Sequence, residues 1–411
     1  MKQLDSRIQE AVRILWCSRD FSKGARAKEL LEQAAEEGNA DAYFFLARCY
    51  AGTCFVDVGF GLPESDEKVE EYLNYSLEHG SVIAMFGARR FGGFQPKSGT
   101  FVHEPCHSDQ EVWQEVCELA DAGDLFAKYL VANAYYYGDV VKFLGIDFSH
   151  SDQQQITRQF RQWAEMAIPM YDYLLANNMI MGLGNYIDII TSGDYGIPQN
   201  EEKARQLRYL GAEKGSPFYM VKVARELENT QLEKAIEYYQ KALDSHYPQA
   251  GYYLGCLYSF KGKLPRNLNT ARQYYETCLS QGEAETGCNN RLGEIYFYGG
   301  DGIEPDYNKA FQYFMKAHEE ENYWASDMLG TCYLKGLGTN VDYVRAKQEF
   351  ERYSGEALSA IGLGEIYAYG LGVPVDIKKA MTYWDRFPQH PTVVEHKKHF
   401  KKSLFGGWKR I

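Results

Sequence analysis

The chain has no pair of cysteines spaced as CxxC, no apolar run of the ~20 residues that a membrane span takes, and no excess of basic side chains. Its nine cysteines, Cys17, Cys49, Cys54, Cys106, Cys117, Cys256, Cys278, Cys288 and Cys332, are odd in number and irregular in spacing. A secreted disulfide framework would repeat with the fold, so these read as reduced thiols, mostly at core positions, of a cytoplasmic protein. With 44 basic against 56 acidic side chains and a net charge of −12, the chain is not built to coat nucleic acid or anionic lipid. The start, Met1-Lys2-Gln3-Leu4-Asp5-Ser6, has no apolar stretch behind its lysine and does not read as a secretory signal. Neither a GxxxxGKS/T phosphate loop nor a GxSxG nucleophile elbow occurs. What remains, 45% apolar and 24% charged over 411 residues, is a globular composition.

What the sequence does have is a period. Leu254-Gly255, Leu292-Gly293, Leu329-Gly330 and Leu363-Gly364 advance by 38, 37 and 34 positions. Four residues before each Leu stands a small side chain: Ala250, Cys288, Ala325 and Ser359. Four residues after it stands a tyrosine, then a glycine: Gly262, Gly299, Gly336 and Gly370. Small, Leu and Tyr at i, i+4 and i+8 make one stripe on a helix, and the Gly beside Leu lets a neighbouring helix come close. A second marker follows: Lys203-Ala204, Lys234-Ala235, Thr270-Ala271, Lys309-Ala310, Arg345-Ala346 and Lys379-Ala380, the last five with an aromatic residue three or four places on, Tyr238, Tyr274, Tyr313, Phe350 and Tyr383. That is a second amphipathic helix per period. Between the two lie glycine turns such as Gly370-Leu371-Gly372-Val373-Pro374, and Asp306, Asp342 or Asp376 stands where a carboxylate suits the next helix start.

This combination of small residue, Leu-Gly, Tyr, Gly-x-Gly-Val and Asp-x-x-Lys-Ala resembles the Sel-one-like repeat family, a relative of the tetratricopeptide repeat. The resemblance is strong over residues 196–386 and implies an all-α, right-handed α/α superhelical solenoid of helix hairpins. Residues 1–195 read as degenerate repeats, with Ala42, Leu46, Tyr50 and Ala127, Val131, Tyr135 in register and loop insertions at 52–65, 92–107 and 139–150. The stretch 151–176 reads as a helix pair bent near Pro169, and the register around Leu183-Gly184 is not fixed by its distance to Lys203-Ala204. Residues 387–411 read as a basic capping segment and tail, with a last helix over 391–405.

Stacked hairpins of this kind line a concave wall with their first helices. The positions two before, two after and five after each stripe Leu are then the candidate partner-binding residues. They include Tyr129, Asn133 and Tyr136 around Val131, and Tyr252 with Cys256 and Ser259 around Leu254. Asn290, Glu294 and Phe297 follow around Leu292, then Asp327 with Thr331 and Leu334, and Glu365 with Ile361 and Ala368. Polar, acidic and aromatic side chains on a rigid wall suit a protein or peptide segment. The expected function is a non-catalytic scaffold or adaptor for a protein or peptide partner, basic in character because the body is acidic, with no cofactor and no catalytic or metal-binding residue. The resemblance implies adaptor roles in bacterial signalling, envelope and host-interaction pathways and in eukaryotic quality control. It also implies an alternative, an inhibitor or immunity-type protein that neutralises a toxin or effector enzyme.

A third reading is a metal-dependent hydrolase. His103-Glu104-Pro105-Cys106-His107 formally matches HExxH, but Pro105 interrupts the helix that would bring both histidines to one face. A loop zinc site from His103, Cys106 and His107 lacks a fourth ligand. Asp147, His150 and Asp152 read as a polar turn ending in a helix cap. Lys397, Lys398, Lys401, Lys402, Lys409 and Arg410, interleaved with Phe400, Leu404, Phe405 and Trp408, read as a capping segment whose lysines lean off an apolar face rather than as a nucleic-acid or membrane contact.

Overall fold

The structure is a computed structural model; it describes residues 3–17, 21–51, 60–90, 107–194, 196–260, 262–282, 287–319, 324–352, 355–402 and 408–411. The chain forms two compact units, Met1–Thr230 and Gln231–Ile411. The first unit holds α1 (Ser6–Val12), α2 (Gly24–Glu36), α3 (Ala40–Tyr50), α4 (Asp66–Glu78), α5 (Val82–Arg89) and α6 (Asp109–Asp121). It continues with α7 (Leu125–Tyr137), α8 (Val140–Leu144), α9 (Gln153–Ala176), α10 (Leu183–Thr191), α11 (Glu201–Glu213) and α12 (Pro217–Leu227). The second holds α13 (Leu232–Asp244), α14 (Pro248–Tyr258), α15 (Leu268–Ser280), α16 (Cys288–Tyr298), α17 (Tyr307–Glu319) and α18 (Trp324–Lys335). Then come α19 (Tyr343–Arg352), α20 (Ala357–Tyr369), α21 (Ile377–Trp384), α22 (Pro391–Lys397), β1 (Phe400–Lys402) and β2 (Trp408–Arg410).

Each marker of the period has a job in the second unit. In the pairs α14/α15, α16/α17, α18/α19 and α20/α21, one large ring from the second helix fills the space over the Leu-Gly of the first. A Cβ on Gly255 would lie 2.4 Å from Tyr275, on Gly293 2.5 Å from Phe314, on Gly330 2.6 Å from Phe350 and on Gly364 2.1 Å from Trp384. All four rings are almost fully buried, and each such burial is worth about 1.5–3 kcal/mol. The small residues Ala250, Cys288, Ala325 and Ser359 are buried at the same seam.

The aromatic one place earlier on the second helix stacks on the stripe tyrosine. Tyr296 and Tyr313 lie with centroids 5.7 Å apart, Tyr258 and Tyr274 6.1 Å, and Tyr367 and Tyr383 6.0 Å. The basic residue of the second marker then closes over that tyrosine. Lys379 Nζ is 4.0 Å from the Tyr367 ring centroid and donates to its hydroxyl at 2.7 Å. Lys309 covers Tyr296 at 5.1 Å and Arg345 covers Tyr333 at 5.7 Å.

The turn is fixed twice. The Asp376 side chain accepts from the Lys379 N–H at 2.8 Å, while its own N–H donates to the Tyr367 carbonyl at 2.9 Å. Asp306 does the same with Lys309 and Tyr296, and Asp342 with Arg345 and Tyr333. Gly299, Gly336 and Gly370 end the first helices at φ of +64°, +69° and +69°, where a side chain would be strained.

That turn bond also sets the register that the sequence left open. The Asn200 N–H donates to the Ile190 carbonyl at 2.7 Å, so Ile190 holds the tyrosine place and Tyr186 the leucine place. In a departure from the other repeats, Lys203 covers the Tyr186 ring, at 4.9 Å, rather than the residue in the tyrosine place. The pair Leu183-Gly184 therefore lies three residues ahead of the true stripe, at the start of α10.

Three expectations need correction. The stretch 139–150, expected as a loop, contains α8, because Val140 and Phe143 are buried and Phe143 stacks on Phe86 at 4.5 Å. The stretch 151–176 is one helix rather than a bent pair; Pro169 is exposed, so the carbonyl it leaves unpaired faces water. The last helix stops at Lys397 instead of 405, and β1 and β2 pair antiparallel after it, with Phe400 buried beside Trp384 and Tyr369. Most of the insertions 52–65 and 92–107 lie outside the described residues.

Candidate partner-binding surface

In the second unit, the residue two after each stripe Leu keeps partial exposure: Cys256, Glu294, Thr331 and Glu365. The positions two before and five after do not behave uniformly. Tyr252 and Phe297 are half-buried, but Asn290 is 5% exposed and Leu334, Ile361 and Ala368 are buried. Phe297 packs edge-on against Tyr307 at 5.4 Å and against Phe314 at 6.2 Å, so its ring belongs to the hairpin. Asn290 cannot meet a partner as it stands.

Glu294 accepts from Arg291 at 2.8 Å. Burial of Arg291 opposes its charge, yet the Glu294 carboxylate prevails and holds the guanidinium protonated above its usual range. The Tyr252 and Tyr275 rings lie 6.2 Å apart beside the Cys256 thiol, to which the Tyr275 hydroxyl donates at 3.5 Å, and burial raises both phenols. The Asp327 carboxylate accepts from the Ser359 hydroxyl, and burial pushes its pKa up against that bond. Glu365 faces the C-terminal helix: His396 Nε2 lies 3.8 Å away, and the imidazole stacks flat on Trp384 at 5.1 Å.

In the first unit, Asn133 is 2% exposed and accepts from the Tyr171 hydroxyl at 2.8 Å and from Asn185 Nδ2 at 2.9 Å. It is an internal tie between α7, α9 and α10. The Tyr136 hydroxyl donates to Asp188 at 2.7 Å, and Tyr129 is half-buried with its ring 5.8 Å from Phe126.

The side chains that do reach water sit one place further on. Tyr298 and Tyr137, six after their stripe residues, are 55% and 57% exposed, and Phe260, six after Leu254, is 37% exposed. Phe260 and Tyr298 meet edge-to-face at 5.9 Å, with Tyr307, 40% exposed, on the far side of Phe297. Glu294 and Tyr298 stand one turn apart on α16, and partial burial and then the Glu294 charge raise the Tyr298 phenol. Sequence reasoning missed this position. The signal was present in the runs Tyr296-Phe297-Tyr298 and Tyr135-Tyr136-Tyr137, since a helix cannot bury three successive rings in one seam.

The candidate chemical residues that the structure describes are held by local contacts. His103 and Cys106 lie outside the described residues, and His107 faces Glu115 at 3.8 Å. Among the described residues, no three His, Cys, Asp or Glu side chains are grouped to hold a metal ion. Asp147 accepts from both the N–H and the hydroxyl of Ser149, and Asp152 forms a reciprocal cap with Gln155. No helix among the described residues is long and apolar enough to cross a membrane.

Hairpins joined in this way define an all-α solenoid of the tetratricopeptide-like class. Seven segments, residues 16–39, 181–216, 229–247, 248–282, 287–319, 325–348 and 357–386, match the Sel1 repeat, and the chain belongs to the Sel1-repeat family. It is 29% identical over 91 residues to the ERAD-associated E3 ubiquitin-protein ligase component HRD3B of Arabidopsis thaliana, covering 22% of this chain and 15% of that protein. To HRD3A of the same plant it is 30% identical over 81 residues, covering 19% and 12%. The chain thus matches under a sixth of the length of either relative. Among solved structures, it resembles c5321, a protective antigen present in uropathogenic Escherichia coli strains and displaying an SLR fold. The TM-score is 0.52 at 20% identity, over 95% of this chain and 86% of the other. That likeness concerns the fold.

Proposed function

We propose that the protein is a non-catalytic scaffold that holds a partner protein or peptide against the first-helix face of its second unit. The observation that carries this reading is the exposed aromatic group Phe260, Tyr298 and Tyr307 beside the Glu294 carboxylate. Large rings left in water on an otherwise well-packed hairpin stack are what a partner would bury, and aromatic anchors dominate binding energy at interfaces. Their underside is held by Phe297 and Phe314, so little side-chain entropy is lost on docking. The acidic composition favours a partner segment carrying basic residues, although Glu294 itself is already paired with Arg291. The plant relatives, named as components of a ligase, are in keeping with a part that works inside an assembly.

The test is photo-crosslinking from an unnatural amino acid at position 298, with position 273 on the exposed side of α15 as control. The reading requires one partner to be captured from 298 and not from 273. Equal capture from both positions, or from 273 alone, would overturn it. An enzyme whose activity falls on binding would make the scaffold an inhibitor.

A further inference from the structure

We propose that the C-terminal β-ribbon is a second docking surface, one that takes an acidic, extended segment of a partner protein. In the register of β1 and β2, Phe400 faces Arg410, Lys401 faces Lys409 and Lys402 faces Trp408. Strand side chains alternate between faces. Phe400 is buried against Trp384 and Tyr369, Trp408 packs on the same core, and the Arg410 guanidinium lies 5.0 Å from the Tyr369 ring. That face is the cap of the last hairpin.

The opposite face presents Lys401 directly across from Lys409, both exposed. Like charges directly opposed on paired strands repel, and a two-stranded ribbon is marginal to begin with. Their neighbours show what compensation looks like here: Lys397 pairs with Asp385 at 2.6 Å and Lys398 with Glu395 at 2.7 Å. No carboxylate of the described residues pairs with Lys401, Lys402 or Lys409, although the chain carries 56 acidic side chains. The missing counter-charge is the place for a partner's carboxylates.

The chemistry of that partner follows from the rest of the ribbon. Among the described residues, both aromatic side chains of the strands are turned to the core, and none of them is left to stack on a base or to enter a bilayer. No third strand pairs with β1 or β2 among the described residues, so a strand can add to an edge and set alternate Asp or Glu side chains toward the lysines. This surface is separate from the aromatic group of the proposed function, and neither depends on the other.

The probe is a fluorescein-labelled twelve-residue peptide alternating Glu with Thr and Val, titrated with the full chain by fluorescence anisotropy. A single-stranded oligonucleotide and phosphatidylserine vesicles serve as the other arms. Expected is saturable peptide binding that weakens with salt and drops about tenfold in Lys409→Glu, while Lys401→Arg/Lys409→Arg retains it. The melting temperature of Lys409→Glu should not fall, because the new Glu removes a repulsion and pairs with Lys401. Peptide binding unaffected by Lys409→Glu, or tighter binding to the oligonucleotide or the vesicles than to the peptide, would overturn the proposal.

Discussion

Two Leu-Gly pairs that look alike in the sequence should respond oppositely to the same substitution. At Gly364, an added Cβ would meet Trp384 Nε1 at 2.1 Å, Cδ1 at 2.5 Å and Cε2 at 2.7 Å. The Trp384 ring cannot step aside freely. It is fully buried, its Nε1 donates to the Ile361 carbonyl at 3.2 Å, and its outer side touches His396 and Phe400. Overpacking costs about 1–3 kcal/mol, and a strained or lost hydrogen bond adds about 1 kcal/mol. Alanine returns about 1 kcal/mol of helix propensity. Gly364→Ala should therefore destabilise by about 1–3 kcal/mol, a drop in melting temperature of roughly 3–10 °C for a unit of this size. At Gly184, exposed and with only the Tyr219 hydroxyl at 3.6 Å, the same change should be neutral or stabilise by up to about 1 kcal/mol. Thermal and urea unfolding followed by circular dichroism measure both. Replacing Trp384 by Leu, which removes the clash, should make Gly364→Ala harmless in a double-mutant cycle. A stabilised Gly364→Ala, or equal shifts at the two glycines, would refute the close-packing account of the repeat.

Two further outcomes are open to direct measurement. Asn133→Ala should cost about 1–3 kcal/mol in urea unfolding, because it strands the buried Tyr171 hydroxyl; a change below the measurement error would show that Asn133 is no internal tie. His396 has its pKa lowered from 6.5 by burial, with Glu365 opposing. The unfolded state then binds more protons than the folded one just below pH 6.5, so the stability that this group affects rises with pH and is lost as pH falls. The protection factors of the amides in Pro391–Lys397, corrected for the intrinsic pH dependence of exchange, should fall as pH drops below about 6.5, and His396→Phe, which keeps the stacking, should flatten that dependence. A pH-independent wild type would contradict the assignment.

The fold was legible because its markers are few, periodic and tied to backbone geometry. Leu-Gly, the Asp-x-x-Lys-Ala start and the positive-φ glycines each recur with a contact that few residue types can make. Where a contact could be made by other residues, the pattern misled. Ile190 and Tyr186 fill the Tyr and Leu places of one repeat, and the nearby Leu183-Gly184 imitates a stripe that it does not form. Short apolar stretches such as 140–144, and a ribbon held by Phe400 and Trp408, take their structure from tertiary contacts that no local pattern announces. The candidate surface was legible only in part. Helix geometry points the position five after Leu toward the wall, but at Phe297 the start of the next helix closes over it, and exposure passes to Tyr298. Asn133 and Asn290, polar and therefore expected in water, are absorbed into the seams between helices.

The most direct measurement of the central claim is the affinity of the partner captured from position 298 for the double variant Phe260→Ser/Tyr298→Ser, read by isothermal titration calorimetry. Both rings are exposed, so the variant should keep its helical signal and melting temperature. The account predicts an affinity at least about tenfold weaker than that of the unaltered chain; an unchanged affinity in a folded variant would contradict it.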